Sequence, residues 1–302
     1  MGITNKSRKK SFGTSANDRK DSKGVKSAIL KVKTMIIEIE NVNYHVTIDG
    51  EGEALLLLHG FTGDSGTWHP FIPLWKKDYK VITVDIIGHG KTDSPKELEK
   101  YTMKESVKHL KDVIDYLHIA PVHLLGYSMG GRLALAYCME YPETVKKLIL
   151  ESASPGLRTE MERRQRRIQD DNLGDSILEH GIINFVNKWE KIPLFKSQDR
   201  LDLANKQAIR NQRLANNPIG LANSLRGMGT GAQSSYWSQI SKLQVETLLI
   251  TGELDRKFFQ IAEEMVEINK KMRHLNVNDA GHAIHVEKPE IFGTIVMEFL
   301  RS

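Results

Sequence analysis

The sequence predicts an α/β fold, in which a mostly parallel eight-stranded sheet carries helices on both faces and a helical cap follows the sixth strand. Short apolar runs alternate with helical stretches along the chain, which is typical of a parallel sheet. Residues 157–235 interrupt this alternation, because they show helical periodicity and charge but no convincing strand. A Gly-x-Ser-x-Gly motif at residues 126–130 joins one apolar run to a helix, which indicates a sharp strand-to-helix turn.

Four strands are predicted before the first long helix. Residues 36–39 and 44–49 alternate apolar and polar side chains, and a turn at residues 41–43 joins them. Residues 54–58 are wholly apolar, as expected for a strand that is buried on both faces. Residues 80–84 form the next apolar run, so we expect the fourth strand there.

The central part of the chain follows the same rhythm. A helix is predicted at residues 102–117, where Thr102 can cap the first turn and Glu105 lies three residues further on. The fifth strand, residues 122–125, leads into the Gly-x-Ser-x-Gly motif, and a helix at residues 132–141 leads out of it. The glycines of the motif allow the chain to turn sharply and to pass close to a neighbouring helix.

The sixth strand is predicted at residues 145–150, and the alternation returns with the seventh strand at residues 245–251. A helix near residues 259–269, a strand at residues 273–277 and a closing helix at residues 289–300 complete the pattern.

These elements predict two structural parts, with a core at residues 35–154 and 240–302 and a helical cap at residues 155–239. Ligands of open α/β sheets bind at the carboxyl edge of the strands. We therefore expect the cap to lie over this edge and to cover the functional site.

The first 34 residues differ in composition from the rest of the chain. They carry ten Lys and Arg against two Asp, whereas residues 35–302 carry 33 basic against 36 acidic residues. The segment is also poor in apolar residues, so residues 1–34 are predicted to be a disordered basic extension. Three interpretations stay open: a spurious extension ahead of a start at Met35, a solvated arm, or a transit peptide.

Composition argues against several classes of protein. The 302 residues are 40% hydrophobic and 27% charged, which suits a soluble globular chain. The apolar runs are too short for a membrane span, and no Cys/His cluster, P-loop or dinucleotide-binding glycine motif indicates a metal or an organic cofactor. Cys138 is the single cysteine and cannot form an internal disulfide, so we expect a packed thiol and a cytoplasmic location.

Ser128, at the centre of the glycine motif, is the candidate catalytic serine. Such a serine needs a base within hydrogen-bond reach, and the base needs an acid that orients it. Asp255 follows the seventh predicted strand and His282 follows the eighth, which is the chain order typical of this motif. We assign His282 as the base and Asp255 as the orienting acid. The alternative candidates are His285, Glu253, Asp279 and Glu151, while His59 and His89 are expected to form hydrogen bonds within their own turns.

An oxyanion hole needs two preorganised N–H donors. The residue after the serine supplies one donor, which here is Met129, and the loop after the third strand supplies the other. The turn His59-Gly60-Phe61 makes Phe61 the expected second donor.

The positions of the arginines indicate the chemical class of the substrate. Arg132 lies four residues after Ser128, on the same side of its helix. Residues 161–167 add four arginines at the start of the cap, and Arg210 and Arg213 follow further on. The planar fork of arginine suits carboxylates, so these residues indicate a polyanionic small molecule.

A second interpretation of the cap arginines stays open. A charged cap helix can place Arg166 opposite Asp170 and Arg167 opposite Asp171 as surface pairs four residues apart. In that case the arginines only solvate the outer face of the helix.

Residues 36–302 resemble the α/β-hydrolase superfamily. The motifs that carry this resemblance occur in order along the chain, as His59-Gly60, Gly126-Tyr127-Ser128-Met129-Gly130, Asp255 and Gly281-His282. Within that superfamily, the chain resembles the menaquinone-pathway family of 2-succinyl-6-hydroxy-2,4-cyclohexadiene-1-carboxylate (SHCHC) synthases. The motifs are Gly-Tyr-Ser-Met-Gly-Gly-Arg at residues 126–132, Ser-Pro-Gly-Leu at 154–157, the arginine-rich helix, Trp-Glu-Lys-Ile-Pro-Leu-Phe at 189–195 and Ser-Leu-Arg-Gly-Met-Gly-Thr-Gly at 224–231.

This resemblance implies a lyase that eliminates pyruvate from a substrate with three carboxylates. It also implies substrate-binding roles, which fall on Tyr127, Arg132, Arg166, Trp189 and either Arg213 or Arg210. The spacing to residues 221–222 favours Arg213. No metal or organic cofactor is implied.

Three other functions share parts of this pattern. A serine hydrolase of esters, or of carbon–carbon bonds in dienoic acids, would use the same triad. A ligand receptor could keep the fold without catalysis, and the basic extension could bind nucleic acid. We expect the lyase, with a small-molecule substrate, no nucleic-acid partner and no membrane insertion, and the sequence leaves the oligomeric state open.

Overall fold

An eight-stranded sheet runs through residues 32–302, which are the residues that the computed structural model describes. Its strands are β1 (Lys33–Ile39), β2 (Val42–Asp49), β3 (Glu53–Leu58), β4 (Tyr79–Val84), β5 (Val122–Tyr127), β6 (Val145–Glu151), β7 (Glu246–Gly252) and β8 (Met272–Val277). They are arranged in the order β1-β2-β4-β3-β5-β6-β7-β8. The pairs β1–β2 and β2–β4 are antiparallel and all others are parallel. The predicted α/β fold with a mostly parallel sheet is confirmed.

The α-helices follow the strands in the predicted alternation. They are α1 (Ile72–Trp75), α2 (Met103–Leu117), α3 (Met129–Glu140), α4 (Glu160–Trp189), α5 (Leu203–Leu214), α6 (Pro218–Met228), α7 (Arg256–Ile268), α8 (Ile284–Glu287) and α9 (Pro289–Arg301). As the sequence indicates, the Thr102 side chain caps α2 by accepting a hydrogen bond from the Glu105 N–H at 3.3 Å.

Both faces of the sheet are covered by helices, because its central strands alternate their apolar side chains between two cores. Leu56 and Leu58 of β3 pack into one cluster together with residues of α2, α3 and α7. Leu55 and Leu57 pack into the other, with residues of α1 and α9. All four leucines are fully buried, which explains the wholly apolar run in the sequence.

Two boundaries differ from the sequence prediction. Strand β1 begins at Lys33, before the predicted boundary at Met35, because Lys33 and Thr34 pair with Ile48 and Thr47 of β2. Residues 1–31, which make up most of the predicted basic extension, lie outside the described residues. Helix α3 begins at Met129, directly after Ser128, so the turn between β5 and α3 is sharper than the predicted helix start implied.

Helices α4 to α6 stand between β6 and β7 and contain an apolar cluster of their own. Ile177, Phe185 and Val186 of α4 pack there against Leu221 and Leu225 of α6. Helix α4 bends at Gly181, whose φ of +77° lies in the left-handed region that favours glycine. Among helices of the described residues, none has the length and apolar character that a membrane crossing requires.

Candidate active site

Ser128 sits in a strained turn between β5 and α3. Its φ of +50° is unusual for a residue with a side chain, and its N–H donates to the Glu151 carbonyl at 2.8 Å. The flanking glycines are required by close packing. A Cβ at Gly126 would lie 2.4 Å from the Gly130 carbonyl oxygen, and one at Gly130 would lie 2.4 Å from the Leu58 carbonyl oxygen. The motif therefore holds Ser128 at the carboxyl edge of the sheet, at the start of a helix.

The three predicted triad residues meet at this edge. Ser128 Oγ lies 3.0 Å from His282 Nε2, and His282 Nδ1 lies 2.6 Å from Asp255 Oδ2. A carboxylate only accepts, so Nδ1–H donates to Asp255 and leaves Nε2 free to accept the Ser128 proton. Asp255 also caps α7, because its Oδ1 accepts the Phe258 N–H at 3.4 Å. This arrangement can generate a basic serine oxygen.

The alternative acids and base are engaged elsewhere. Glu151 and His285 form a separate buried pair, with His285 Nδ1 2.9 Å from each Glu151 oxygen. Glu253 accepts the Asp279 N–H at 2.9 Å. Asp279 pairs with Lys288 at 2.9 Å, and hydrogen bonding to this lysine lowers the pKa of the carboxyl to about 2. None of these side chains forms a hydrogen bond with Ser128 or His282 within the described part of the chain.

His59 and His89 form hydrogen bonds in their own turns, as the sequence analysis expects. His59 Nδ1 donates to the Gly60 carbonyl at 2.8 Å, and its Nε2 accepts the Ile86 N–H at 3.0 Å. His89 Nδ1 donates to the Ile87 carbonyl at 3.1 Å. Burial lowers the pKa of both rings, that of His89 to about 3, so both are neutral in the fold.

The two expected oxyanion donors are available. Met129 is the first residue of α3, where the geometry of a helix leaves N–H groups without an intrahelical partner. Neither its N–H nor that of Phe61 donates a hydrogen bond within residues 32–302. Both residues line the cavity into which Ser128 opens. Their amides can therefore stabilise negative charge that develops beside Ser128.

This cavity has a volume of about 180 Å³ and an unbalanced charge. Arg132, Arg166 and Lys257 line it together with Ser128 and His282, and its lining within the described residues includes no Asp or Glu. The remaining lining is largely apolar and aromatic, so cationic groups face a partly desolvated space. Such a cavity favours an anionic ligand.

Arg132 is buried and held from one side. Its Nη1 donates to the Met228 carbonyl at 2.7 Å and to Gln233 Oε1 at 2.8 Å. Burial, with a further contribution from nearby Arg166, lowers the pKa of Arg132 to about 10, so it stays charged at neutral pH. Its Nε and Nη2 donate no hydrogen bond within the described residues, which leaves them free for a ligand.

Arg166 forms the predicted contact with Asp170, but this contact is not a surface pair. Its Nε donates to Asp170 Oδ1 at 2.8 Å, and Asp170 is only 3% exposed. Arg167 pairs with Glu160 and donates to the Gly231 carbonyl rather than contacting Asp171. The cap arginines therefore divide, with Arg166 at the cavity and Arg167 outside it.

Aromatic side chains form another part of the cavity lining. The Trp189 ring lies 5.4 Å from Phe61 and 5.9 Å from Phe195, in edge-to-face contacts. Tyr127 packs 5.5 Å from the His282 ring, and burial raises the pKa of its hydroxyl well above the usual value. The phenol therefore stays neutral and can donate a hydrogen bond.

The two remaining arginines occupy different surroundings. Arg213 is buried, with its guanidinium 4.7 Å from the centre of the Phe195 ring, and lines a small neighbouring cavity together with Tyr127. Its pairing is a long hydrogen bond of 3.4 Å to Gln198. Arg210 instead forms an ion pair with Glu190 at 2.7 Å. Neither lines the cavity of Ser128, whereas Phe61, Tyr127 and Phe195 line both that cavity and the neighbouring one.

One group of side chains has the spacing of metal ligands. Glu40, Glu105 and His109 place one ligand atom each within 4.8 Å of one another, outside the Ser128 cavity. Lys108 already supplies a cation there by pairing with Glu40. This group carries no metal assignment.

The sequence analysis did not single out Asp170, Gln233, Lys257 or Phe195 as parts of the site. Asp170 had a usable signal, its spacing of four residues from Arg166. Lys257 lies two residues after the assigned acid, Asp255, which was a second signal. No local sequence pattern marks Gln233 as a site residue, because its contact with Arg132 joins residues that are far apart in the sequence.

Comparison with known proteins identifies the family of the chain. Residues 53–289 match the family described as alpha/beta hydrolase fold. A protein of Bacillus subtilis (strain 168), provisionally named 2-succinyl-6-hydroxy-2,4-cyclohexadiene-1-carboxylate synthase, is 47% identical over 265 residues, which cover 87% of this chain and 96% of that protein.

Two further relatives match most of the chain. The 2-succinyl-6-hydroxy-2,4-cyclohexadiene-1-carboxylate synthase of Enterobacter sp. (strain 638) is 28% identical, and the match covers 82% of this chain and 91% of that protein. The solved structure of MenH from S. aureus superposes with a TM-score of 0.82 at 37% identity, covering 85% of this chain and 97% of that one.

Proposed function

The chain belongs to the α/β-hydrolase fold family and, within it, to the SHCHC synthases, and we propose that Ser128, His282 and Asp255 are its catalytic residues. The enzyme is a lyase of menaquinone biosynthesis. It eliminates pyruvate from 2-succinyl-5-enolpyruvyl-6-hydroxy-3-cyclohexene-1-carboxylate and forms 2-succinyl-6-hydroxy-2,4-cyclohexadiene-1-carboxylate.

One observation carries the assignment of the site. Ser128, His282 and Asp255 are joined by hydrogen bonds, and Ser128 and His282 line a cavity. Three cationic side chains also line this cavity, and no carboxylate does so among the described residues. The substrate carries three carboxylates and therefore complements this charge. A neutral ester would leave the buried Arg132 without an anionic partner.

The first chemical step is the removal of the ring proton next to the succinyl ketone. His282 Nε2 accepts the Ser128 proton, and the serine oxygen takes the substrate proton, so the net proton acceptor is His282. Asp255 holds the ring through Nδ1 and stabilises the imidazolium that forms.

The electrons of the broken C–H bond pass first to the ketone oxygen, where the Phe61 and Met129 amides stabilise the enolate. They then return through the ring as a second double bond forms, and the carbon–oxygen bond to the enolpyruvyl group breaks. The departing enolate becomes pyruvate by taking up a proton. No covalent bond between Ser128 and the substrate is needed.

Binding roles follow from the surroundings of each residue. Arg132 and Arg166 hold substrate carboxylates, and Tyr127 and Trp189 contact the remainder of the substrate. Between the two further candidates we favour Arg213, since Arg210 already pairs with Glu190, whereas Arg213 lies beside Tyr127 with no ion pair in the described residues.

The proposal extends to the organisation of the chain. Residues 155–239 act as a cap that excludes water from the site, which strengthens every charge interaction beneath it. Residues 35–154 and 240–302 form the core that carries the triad. We place the enzyme in the cytoplasm, which is supported by the buried free thiol of Cys138.

The base role of Ser128 is tested with substrate that carries deuterium at the abstracted position. Proton abstraction predicts slower turnover of the deuterated substrate under single-turnover conditions, and intact-protein mass spectrometry should detect no covalent adduct. An adduct on Ser128 that forms and decays at the rate of turnover would instead assign nucleophilic catalysis.

A further inference from the structure

Two carboxylates of helix α4 pair with arginines, and their environments differ sharply. Glu160 contacts Arg163 and Arg167, and its side chain is 65% exposed. Asp170 contacts Arg166 and is 3% exposed. An exposed pair contributes little to stability, whereas burying a carboxylate carries a large desolvation cost. The position of Asp170 therefore needs a specific explanation.

Asp170 is fixed from more than one side. One oxygen accepts the Arg166 Nε–H at 2.8 Å, and the other lies 3.5 Å from the Gly231 nitrogen. The backbone at Gly229 also packs against it, since a Cβ there would lie 2.6 Å from Oδ2. These contacts restrict the orientation of the carboxylate, and its hydrogen bond to Nε in turn restricts the orientation of the Arg166 guanidinium.

The contact leaves the outer end of Arg166 free. Only Nε is used, and Nη1 and Nη2 donate no hydrogen bond within residues 32–302, although Arg166 lines the Ser128 cavity. Arg132 shows the same pattern, because its two hydrogen bonds both leave from Nη1. Each arginine is therefore held through one nitrogen, and each lines the cavity with other donors that form no hydrogen bond in the described residues.

Asp170 also reduces the electrostatic repulsion between Arg132 and Arg166. Proximity to Arg166 lowers the pKa of Arg132, whereas Asp170 opposes this effect. The carboxylate thus lies close enough to offset part of the repulsion between the two like charges. Asp170 is not among the described residues that line the cavity, so it does not occupy the space of a ligand.

We propose that Asp170 is a positioning residue for substrate binding, which fixes the Arg166 fork so that Nη1 and Nη2 together receive one substrate carboxylate. This inference rests on the proposed function. Bidentate binding of a carboxylate requires both donors in a defined plane, and a flexible arginine would have to be ordered by each substrate.

The direction in which Asp170→Asn changes substrate affinity distinguishes a positioning role from a purely electrostatic one. Asp170→Asn removes a negative charge near a site for an anion, so electrostatics alone predicts tighter substrate binding. Positioning predicts the opposite, because the asparagine amide can no longer hold Arg166 as an ion-pair partner.

The test compares steady-state SHCHC formation by wild type and three variants. Asp170→Asn is the probe, and Glu160→Gln is the matched control on the same helix, outside the cavity. The double variant Arg166→Ala with Asp170→Asn is compared with Arg166→Ala alone. Thermal unfolding of each variant separates loss of fold from loss of positioning.

We expect Asp170→Asn to lower kcat/KM by about 10- to 100-fold, mainly through KM, with the Glu160→Gln variant unchanged. In the Arg166→Ala background the same change should cause no further loss. An unchanged or improved KM in Asp170→Asn, or an equal loss with and without Arg166, would overturn the inference while wild-type turnover upholds the proposed function. Absence of wild-type turnover would overturn both.

Discussion

Asp255–His282 and Glu151–His285 are both buried carboxylate–histidine pairs near the carboxyl edge of the sheet, and the identity of the residues alone does not distinguish them. Asp255 holds His282, which contacts Ser128, whereas Glu151 holds His285, which packs 4.6 Å from the Tyr127 ring. The difference lies in the second ring nitrogen, which reaches a serine only in His282. We therefore expect the two pairs to serve catalysis and stability respectively.

Asp255→Asn should lower kcat by about 10³- to 10⁴-fold with little change in the unfolding temperature, because the amide favours the wrong tautomer of His282. The matched variant Glu151→Gln weakens a buried pair, so it should lower the unfolding temperature and leave kcat of the folded enzyme near wild type. Steady-state kinetics and thermal unfolding of both variants check this. The reverse pattern would assign catalysis to Glu151.

Single substitutions can also show whether Arg213 or Arg210 binds the substrate. Arg213→Ala should raise KM, since it removes a buried cation beside Tyr127, and Arg210→Ala should behave like wild type because it breaks a partly exposed pair. Steady-state KM values for both variants give the answer. Equal KM values for Arg213→Ala and wild type would exclude Arg213 from the binding site.

At the scale of elements, the turn between β5 and α3 determines where the triad can form. Its sequence signal was strong, because only glycine satisfies the packing at both Gly126 and Gly130. Strand and helix types in the core were likewise readable from apolar runs and caps such as Thr102. The boundaries at Lys33 and Met129 were not, since β1 is extended by pairing with β2 and α3 begins within the motif.

Gly126→Ala should destabilise the enzyme by about 1–3 kcal/mol, because the added methyl group would meet the backbone of α3. Gly293→Ala in α9 is the control, since its Cβ meets only side-chain atoms, at 3.4 Å or more, and alanine favours a helix. Chemical unfolding of the two variants measures the difference. Equal stability would show that the turn tolerates a side chain.

At the scale of the whole molecule, long-range arrangement was the part that sequence reasoning could not supply. The triad was predictable because each member follows a strand end. The burial of Asp170, the contact of Gln233 with Arg132 and the contact of Arg213 with Phe195 depend on how the chain between β6 and β7 folds. Helical periodicity reports the faces of a helix, but not what each face meets.

Charge is also distributed unevenly along the whole chain. Residues 35–302 carry 33 basic and 36 acidic residues, so the net charge of +5 arises from the N-terminal segment. Deleting residues 1–31 keeps all of β1 and should leave kcat/KM unchanged while abolishing any retention on an anionic column matrix. Pyruvate release by the truncated and full-length chains tests this, and a loss of turnover would give the segment a catalytic role.

In the proposed mechanism, Ser128 drives elimination of pyruvate from an anionic substrate. The most direct measurement is pyruvate release from 2-succinyl-5-enolpyruvyl-6-hydroxy-3-cyclohexene-1-carboxylate by wild type beside Ser128→Ala. We predict rapid release by wild type and a loss of at least about 10²-fold in the variant. Release at the spontaneous rate by wild type, or equal rates for both proteins, would contradict this role of Ser128.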